Sequence, residues 1–207
     1  MLCRFYLYSR RGILVDRVQE FDTTVEKPDN KDYVIEKGTV KDIDELENLY
    51  DDLNDYLESS INYPGWAKGI YPIRETAVNG IQDNNLFVLK MNNEIAGSII
   101  LNHEPESAYS QVTWGIEADY KDIIVIHTLV VHPKYMKSGV GKKLMDFAKK
   151  YSLKQEIKAI RLDVSIHNAP AISLYEKCKY KYVGTVDLGL NIPDLVWFKL
   201  YELVLQI

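Results

Sequence analysis

The sequence predicts a mixed α/β (α+β) domain, and two βα units carry that prediction. The first reads V-I-H-T-L-V-V-H-P-K-Y-M-K-S-G-V-G-K-K-L from Val125. Its apolar run, 125–131, is a strand, and Pro133 stops it because proline cannot continue a central strand. Gly139-Val140-Gly141 follows, and Lys142, Leu144, Met145 and Phe147 then open a helical pattern. The second unit begins I-R-L-D-V-S-I at 160–166, alternating apolar and polar residues as a half-buried strand does. H-N-A-P-A-I-S-L-Y-E-K-C-K-Y follows at 167–180. Asn168 can cap a helix whose first turn tolerates Pro170. Ala171, Leu174, Tyr175 and Cys178 then share one broad face.

The other elements follow in order. Residues 1–30 form an extension ahead of a main domain, 31–207. Segments 3–8 and 13–21 are either a hairpin, paired with the main sheet or with a partner copy in a homodimer, or a loosely packed arm. Residues 33–36 read as the first strand of the domain. Ile43, Leu46, Leu49, Leu53, Tyr56 and Leu57 make an apolar stripe at helical period. Asp42, Asp44 and Glu45 sit in the first turn of that helix, where its dipole favours them. Segment 59–72, S-S-I-N-Y-P-G-W-A-K-G-I-Y-P, is a loop or a broken helix. A second helix is expected at 73–82, a strand pair at 86–91 and 95–102, and another strand at 112–116. Two late strands, 183–188 and 195–205, close the chain.

A strand, a glycine loop and a helix N-terminus together can hold a phosphate. Glycines allow close backbone approach, several N–H groups converge, and the helix dipole favours an anion. Lys134, Lys137, Lys142 and Lys143 add positive charge. Taken alone, the loop reads equally as a tight strand-to-helix turn. It is not a P-loop, since G-x-x-x-x-G-K-[ST] is missing.

The two units together resemble the GNAT superfamily of acyl-CoA-dependent N-acetyltransferases. The first matches the pyrophosphate motif R/Q-x-x-G-x-G/A, with Met136 in place of Arg or Gln. The second matches N-x-x-A-x-x-L-Y-E-K-x-G-F through Asn168, Ala171, Leu174, Tyr175, Glu176 and Lys177, with Lys179-Tyr180 in place of Gly-Phe. The resemblance implies a GNAT-like fold: a mixed, mostly antiparallel sheet of about seven strands, a splayed parallel strand pair, and flanking helices. It also implies that acetyl-CoA is the cosubstrate and an amine the acceptor. The pantetheine arm would bind as an added strand on Leu129, Val130 and Val131. The pyrophosphate would lie on the amides of Lys137, Ser138, Gly139, Val140, Gly141 and Lys142, and Asn168 would be a cap, a cofactor contact, or both. A catalytically silent acyl-CoA sensor or assembly protein is the alternative.

Tyr175 stands at the family's usual general-acid position, and a phenol near pKa 10 suits protonation of a leaving thiolate. Its other reading is a packed core ring. By strand alternation His127 shares a face with Leu129 and Val131, as a base for the acceptor or as a core histidine. Tyr63, Trp66 and Tyr71, with Asn102, Trp114 and Thr128, are either an acceptor wall or core filling.

Composition narrows the remaining classes. At 207 residues with 46% hydrophobic and 27% charged residues, one soluble domain is expected. A net charge of −5 argues against a nucleic-acid binder. Cys3 and Cys178 suggest no disulfide framework and no metal site. No apolar run reaches the length of a membrane span, and the N-terminus is no convincing secretory signal, so a cytoplasmic setting is expected.

Overall fold

The computed structural model describes residues 33–190, 192 and 195–205. The hairpin-or-arm expectation for 1–30 lies outside the described residues. Strand β1 is Tyr33–Lys37, followed by helices α1, Ile43–Glu58, and α2, Arg74–Gln82. Strands β2, Leu86–Met91, and β3, Glu94–Asn102, pair around Asn92 and Asn93, both at positive φ. Asparagine tolerates that conformation better than most residues. Strand β4, Ile123–Val131, leads to helix α3, Val140–Lys154, and strand β5, Ala159–Ser165, leads to helix α4, Ala169–Lys177. Strands β6, Lys181–Asp187, and β7, Trp197–Val204, end the described chain.

The seven strands form one sheet in the order β1-β2-β3-β4-β5-β7-β6. Among the described strands only β4 and β5 run parallel. Helices α3 and α4 cover one face, where Leu144, Met145 and Tyr175 pack on Ile124, Ile126, Ile160 and Leu162. Helices α1 and α2 cover the other, where Leu46, Leu49 and Leu53 meet Val88, Ile100 and Val130. The predicted stripe of α1 is therefore buried through Leu46, Leu49, Leu53 and Leu57, whereas Tyr56 is exposed. Among its first-turn acids Asp42 is the exception to a solvated face. It is 5% exposed and pairs with Lys90 at 2.7 Å. Among the described residues no helix is long and apolar enough to cross a membrane.

The strand expected at 112–116 does not form. Residues Ser107–Gln111 make a 3-10 turn, and the chain then runs irregularly across the sheet. The reason is a buried ion pair that takes the place of a neighbouring strand. Arg161 Nε donates to Glu202 Oε1 at 3.0 Å, and both side chains are about 3% exposed. Each also binds the crossing backbone. Gly115 N–H donates to Glu202 Oε2 at 2.8 Å, and the Ile116 carbonyl accepts from Arg161 Nη2 at 2.9 Å. A β-carbon on Gly115 would stand 2.5 Å from Glu202 Oε2, so only glycine allows this approach. Peptide groups outside a ladder need other partners, and here side chains supply them for Gly115 and Ile116.

Candidate active site

β4 and β5 are paired only from Ile123↔Ala159 to Ile126↔Leu162. Beyond that point the two strands part, and among the described residues the β5 side of 127–131 has no ladder partner. His132 N–H donates to Ala96 O at 3.0 Å, toward β3. Alternation along the ladder then aims the N–H and C=O of Val131 and Leu129 into the gap and those of Val130 toward β3. Leu129 and Val131 thus have the geometry expected for holding an added strand, whereas Val130 spends its backbone on β3.

A bulge reshapes β4 beside the gap. Pairing shifts from Ser98↔Val130 to Ile100↔His127, which leaves one extra residue on β4. Thr128 sits there at φ +46, a conformation that costs a β-branched residue about 1–3 kcal/mol. Its hydroxyl is hydrogen-bonded to Tyr71 Oη. The extra residue also reverses the faces. Ile126, Leu129 and Val131 all pack toward α3 and α4, so His127 lies on the opposite face, not with Leu129 and Val131 as plain alternation predicted. Its Nε2 stands 3.1 Å from the Glu104 carbonyl. A carbonyl only accepts, so Nε2 carries the proton and Nδ1 keeps the lone pair. Burial lowers the His127 pKa, against the pull of Glu106.

The glycine loop follows β4 by way of the 3-10 turn Pro133–Tyr135. Gly139 has φ +84, which explains that glycine. Lys143 N–H is the first amide of α3 to bond back, to Gly139 O at 3.0 Å. The amides of Lys137, Gly139, Val140, Gly141 and Lys142 have no backbone acceptor among the described residues. Ser138 differs from expectation. Its N–H and its Oγ both turn back to Tyr135 O, at 3.3 and 2.6 Å. Gly141 faces Leu174 of α4, where an added β-carbon would meet Cδ2 at 3.1 Å. Met136 packs against the α1 cluster instead of facing the loop.

On α4, Asn168 Oδ1 caps the helix by accepting from Ala171 N–H at 3.3 Å. Tyr175 is 6% exposed and shares the core with the Tyr180 and Tyr201 rings. Its hydroxyl has no hydrogen-bond partner among the described residues, yet it is not sealed in as the Tyr180 hydroxyl is. Burial first, then the charge of Asp163, pushes its pKa well up. Lys179 takes φ +70 at the helix end, the left-handed position where the family pattern has glycine.

The predicted acceptor wall divides. Tyr71, Asn102 and Thr128 line a cavity of about 170 Å³ between α2 and the sheet. Trp114 lines a different one of about 510 Å³ under the β3–β4 crossing. Trp66 packs against the α1 cluster and edge-on to Tyr71, 5.5 Å between centroids, and Tyr63 lines neither cavity. Sequence reasoning missed three further groups: Glu106, Tyr109 and Asp163. Tyr109 Oη donates to Asp163 Oδ2 at 2.8 Å, and burial pushes the Asp163 carboxyl up to about 6. A signal was present in the strand I-R-L-D-V-S-I, where Arg161 and Asp163 share the polar face.

Residues 46–180 match the family model described as Acetyltransferase (GNAT) family. The chain belongs to that family. Streptothricin acetyltransferase of Escherichia coli is 32% identical over 107 residues, 52% of this chain and 52% of that protein. The uncharacterized N-acetyltransferase YesJ of Bacillus subtilis is 25% identical over 112 residues, 54% of this chain and 61% of that protein. The chain thus spans about half the length of the curated relatives it matches. An N-acetyltransferase from Staphylococcus aureus shares the GNAT fold, with a TM-score of 0.62 at 17% identity over 85% of this chain and 100% of its own. So does yncA of Salmonella typhimurium, whose structure holds its cofactor acetyl-CoA, with a TM-score of 0.62 at 12% identity over 85% of this chain and 95% of its own.

Proposed function

We propose that this GNAT protein is an N-acetyltransferase that moves an acetyl group from acetyl-CoA to a primary amine within a ternary complex. The observation that carries this reading is the continuity of one binding track. The gap-facing backbone of Leu129 and Val131 leads within a few residues to the unpartnered amides of Lys137 and of 139–142. An extended thioester ending in a pyrophosphate has that order of groups. Its two ends need an added-strand edge and a helix N-terminus. The residues present therefore fit acetyl-CoA, which supplies the activated acyl carbon.

The other side chains fit the proton traffic of acyl transfer. His127 holds its Nδ1 lone pair beside the point where the strands part, and its lowered pKa keeps it neutral near pH 7. Nδ1 takes a proton from the acceptor's ammonium and frees the amine to attack. Tyr175 returns a proton to the departing thiolate. Its raised pKa keeps the phenol protonated near pH 7 and makes it a weaker acid. The proton therefore passes by way of a hydrogen bond that strengthens as charge builds on the sulfur. In this reading residues 31–207 are the catalytic domain and 1–30 stand outside it.

The test is calorimetric titration with acetyl-CoA, followed by thiol release on a panel of amines that includes streptothricin. Binding followed by amine-dependent thiol release is the expected result. Binding without release on any amine would leave an acyl-CoA sensor, and no binding would reject the reading.

A further inference from the structure

The crossing between β3 and β4 carries an arrangement of which the transfer step uses only His127. It spans the place where β4 and β5 part, and it is tied to both strands. Glu104 O accepts from His127 of β4 at 3.1 Å, and Tyr109 Oη donates to Asp163 of β5 at 2.8 Å. Between those two ties stands Glu106, whose carboxyl lies close enough to Asp163 and His127 to be coupled electrostatically to both. Beyond Glu106 opens the cavity of about 510 Å³, with Tyr109, Trp114, Glu117, Tyr120 and Arg161 in its wall.

The charge balance of that wall favours a cation. Arg161 is already committed: it pairs with Glu202, binds Ile116 O, and lies 4.2 Å from the Trp114 ring centroid and 5.2 Å from that of Tyr120. Among the described residues no Lys or Arg pairs with Glu106 or Glu117. Partial desolvation, and then the Asp163 charge, raise the pKa of the Glu106 carboxyl, although the residue stands exposed at the cavity rim. An arriving ammonium relieves that cost by pairing with the charged form. Aromatic faces beside a carboxylate suit an alkylammonium. The volume lies within the range of small-ligand pockets, about 300–1,000 Å³.

We propose that this cavity is the acceptor pocket, that it takes a small-molecule amine in its cationic form, and that Glu106 receives the ammonium beside His127. The proposal rests on the transferase reading for its consequence. His127 is not in the cavity wall, so the ammonium reaches its Nδ1 past Glu106. The N–H bond breaks toward that nitrogen, and the neutral amine then faces the gap between β4 and β5. Binding of the cation stands without that step.

The test uses the full chain, titrated by calorimetry with 1,5-diaminopentane, with pentane-1,5-diol as the neutral control, and with an alanine pentapeptide. The diamine should bind, and the diol and peptide should not. Glu106→Gln should weaken the diamine at least about tenfold, as expected for loss of a charged hydrogen bond, and leave coenzyme A affinity and melting temperature unchanged. Glu75→Gln, in the smaller cavity by α2, should have no effect. Equal binding of diamine and diol, a preference for the peptide, no diamine binding, or a loss at Glu75 instead of Glu106 would each overturn the proposal. Failure of coenzyme A to bind would instead sink the transferase reading, while the diamine titration still reads the cavity.

Discussion

His127 and Asp163 stand at matching positions on β4 and β5, each one residue past the last parallel pair, Ile126↔Leu162. They are the first side chains on either side of the opening strands, and both lie on the face crossed by residues 104–109. The sheet separates a histidine held neutral by burial from a carboxyl pushed up by burial, and Glu106 interacts with both. The point where pairing fails is thus also where the titratable groups gather.

The Asp163 side of this pair is testable through stability. Its carboxyl titrates near 6 when folded, against an ordinary 3.8. Between those values the native state binds more protons than the unfolded one, so stability falls as pH rises through that window. Asp163→Asn keeps an oxygen for the Tyr109 hydroxyl and removes the charge. It should gain stability relative to the parent by roughly 1–3 kcal/mol at pH 7.5, and little at pH 4. Urea unfolding at the two pH values measures this. A gain equal at both would show that Asp163 ionises freely in the fold.

The His127 side should appear in activity. A base must be unprotonated, so kcat/KM should rise with pH through a histidine pKa held below 6.5. His127→Gln should flatten that limb and lower turnover by roughly 10²–10⁴-fold, with acetyl-CoA affinity unchanged. A retained acidic limb in the variant would assign it to another group, Glu106 or Asp163.

Most of the sheet was legible because its strands show period two and its helices show apolar stripes, and both signals are local. The α1 stripe and the two βα units gave their elements directly. The failures were non-local. Nothing near 112–116 shows that Arg161 and Glu202, far along the chain, take up its backbone groups. The face of His127 was lost to one extra residue at Thr128, and a β-branched residue at positive φ leaves no pattern in sequence. Tyr175, Gly139 and Leu129 were named because the resemblance to a family points to those positions. Glu106 lies in a crossing with no period at all, and only the folded chain brings it to Asp163.

The ion pair that anchors the crossing should be costly to halve. Glu202→Gln leaves the Arg161 guanidinium without its counter-charge at about 3% exposure. Breaking one side of a buried pair costs about 3–5 kcal/mol. The double variant Arg161→Met, Glu202→Leu should recover a large part of that loss in urea unfolding, although Gly115 and Ile116 then lose their partners. A single variant as stable as the parent would mean that water reaches the pair.

Gly139 tests the phosphate track. At φ +84 a β-branched side chain is strained, and its bulk would stand beside the open amides. Gly139→Val should lower acetyl-CoA affinity at least about tenfold by calorimetry while the protein stays folded. Unchanged affinity would place the pyrophosphate elsewhere.

Tyr175 decides whether the phenol acts or only packs. Tyr175→Phe keeps the ring among Tyr180 and Tyr201 and deletes a hydroxyl that has no partner among the described residues. No hydrogen bond is lost from the fold, so the melting temperature should hold. Acetyl-CoA affinity should hold as well if, as proposed, backbone groups of β4 and the glycine loop carry it. If the phenol protonates the leaving thiolate, kcat should fall by roughly 10²–10⁴-fold, the range for a lost general acid. KM should change little, since the proton is needed in the transition state and not in the ground state. Its pKa, raised by burial and by Asp163, adds a second readout. Asp163→Asn removes one cause of that rise, so it should shift any alkaline limb of kcat in the parent downward and leave the Tyr175→Phe profile unmoved. Full kcat in Tyr175→Phe would assign the proton to water and return the tyrosine to the core.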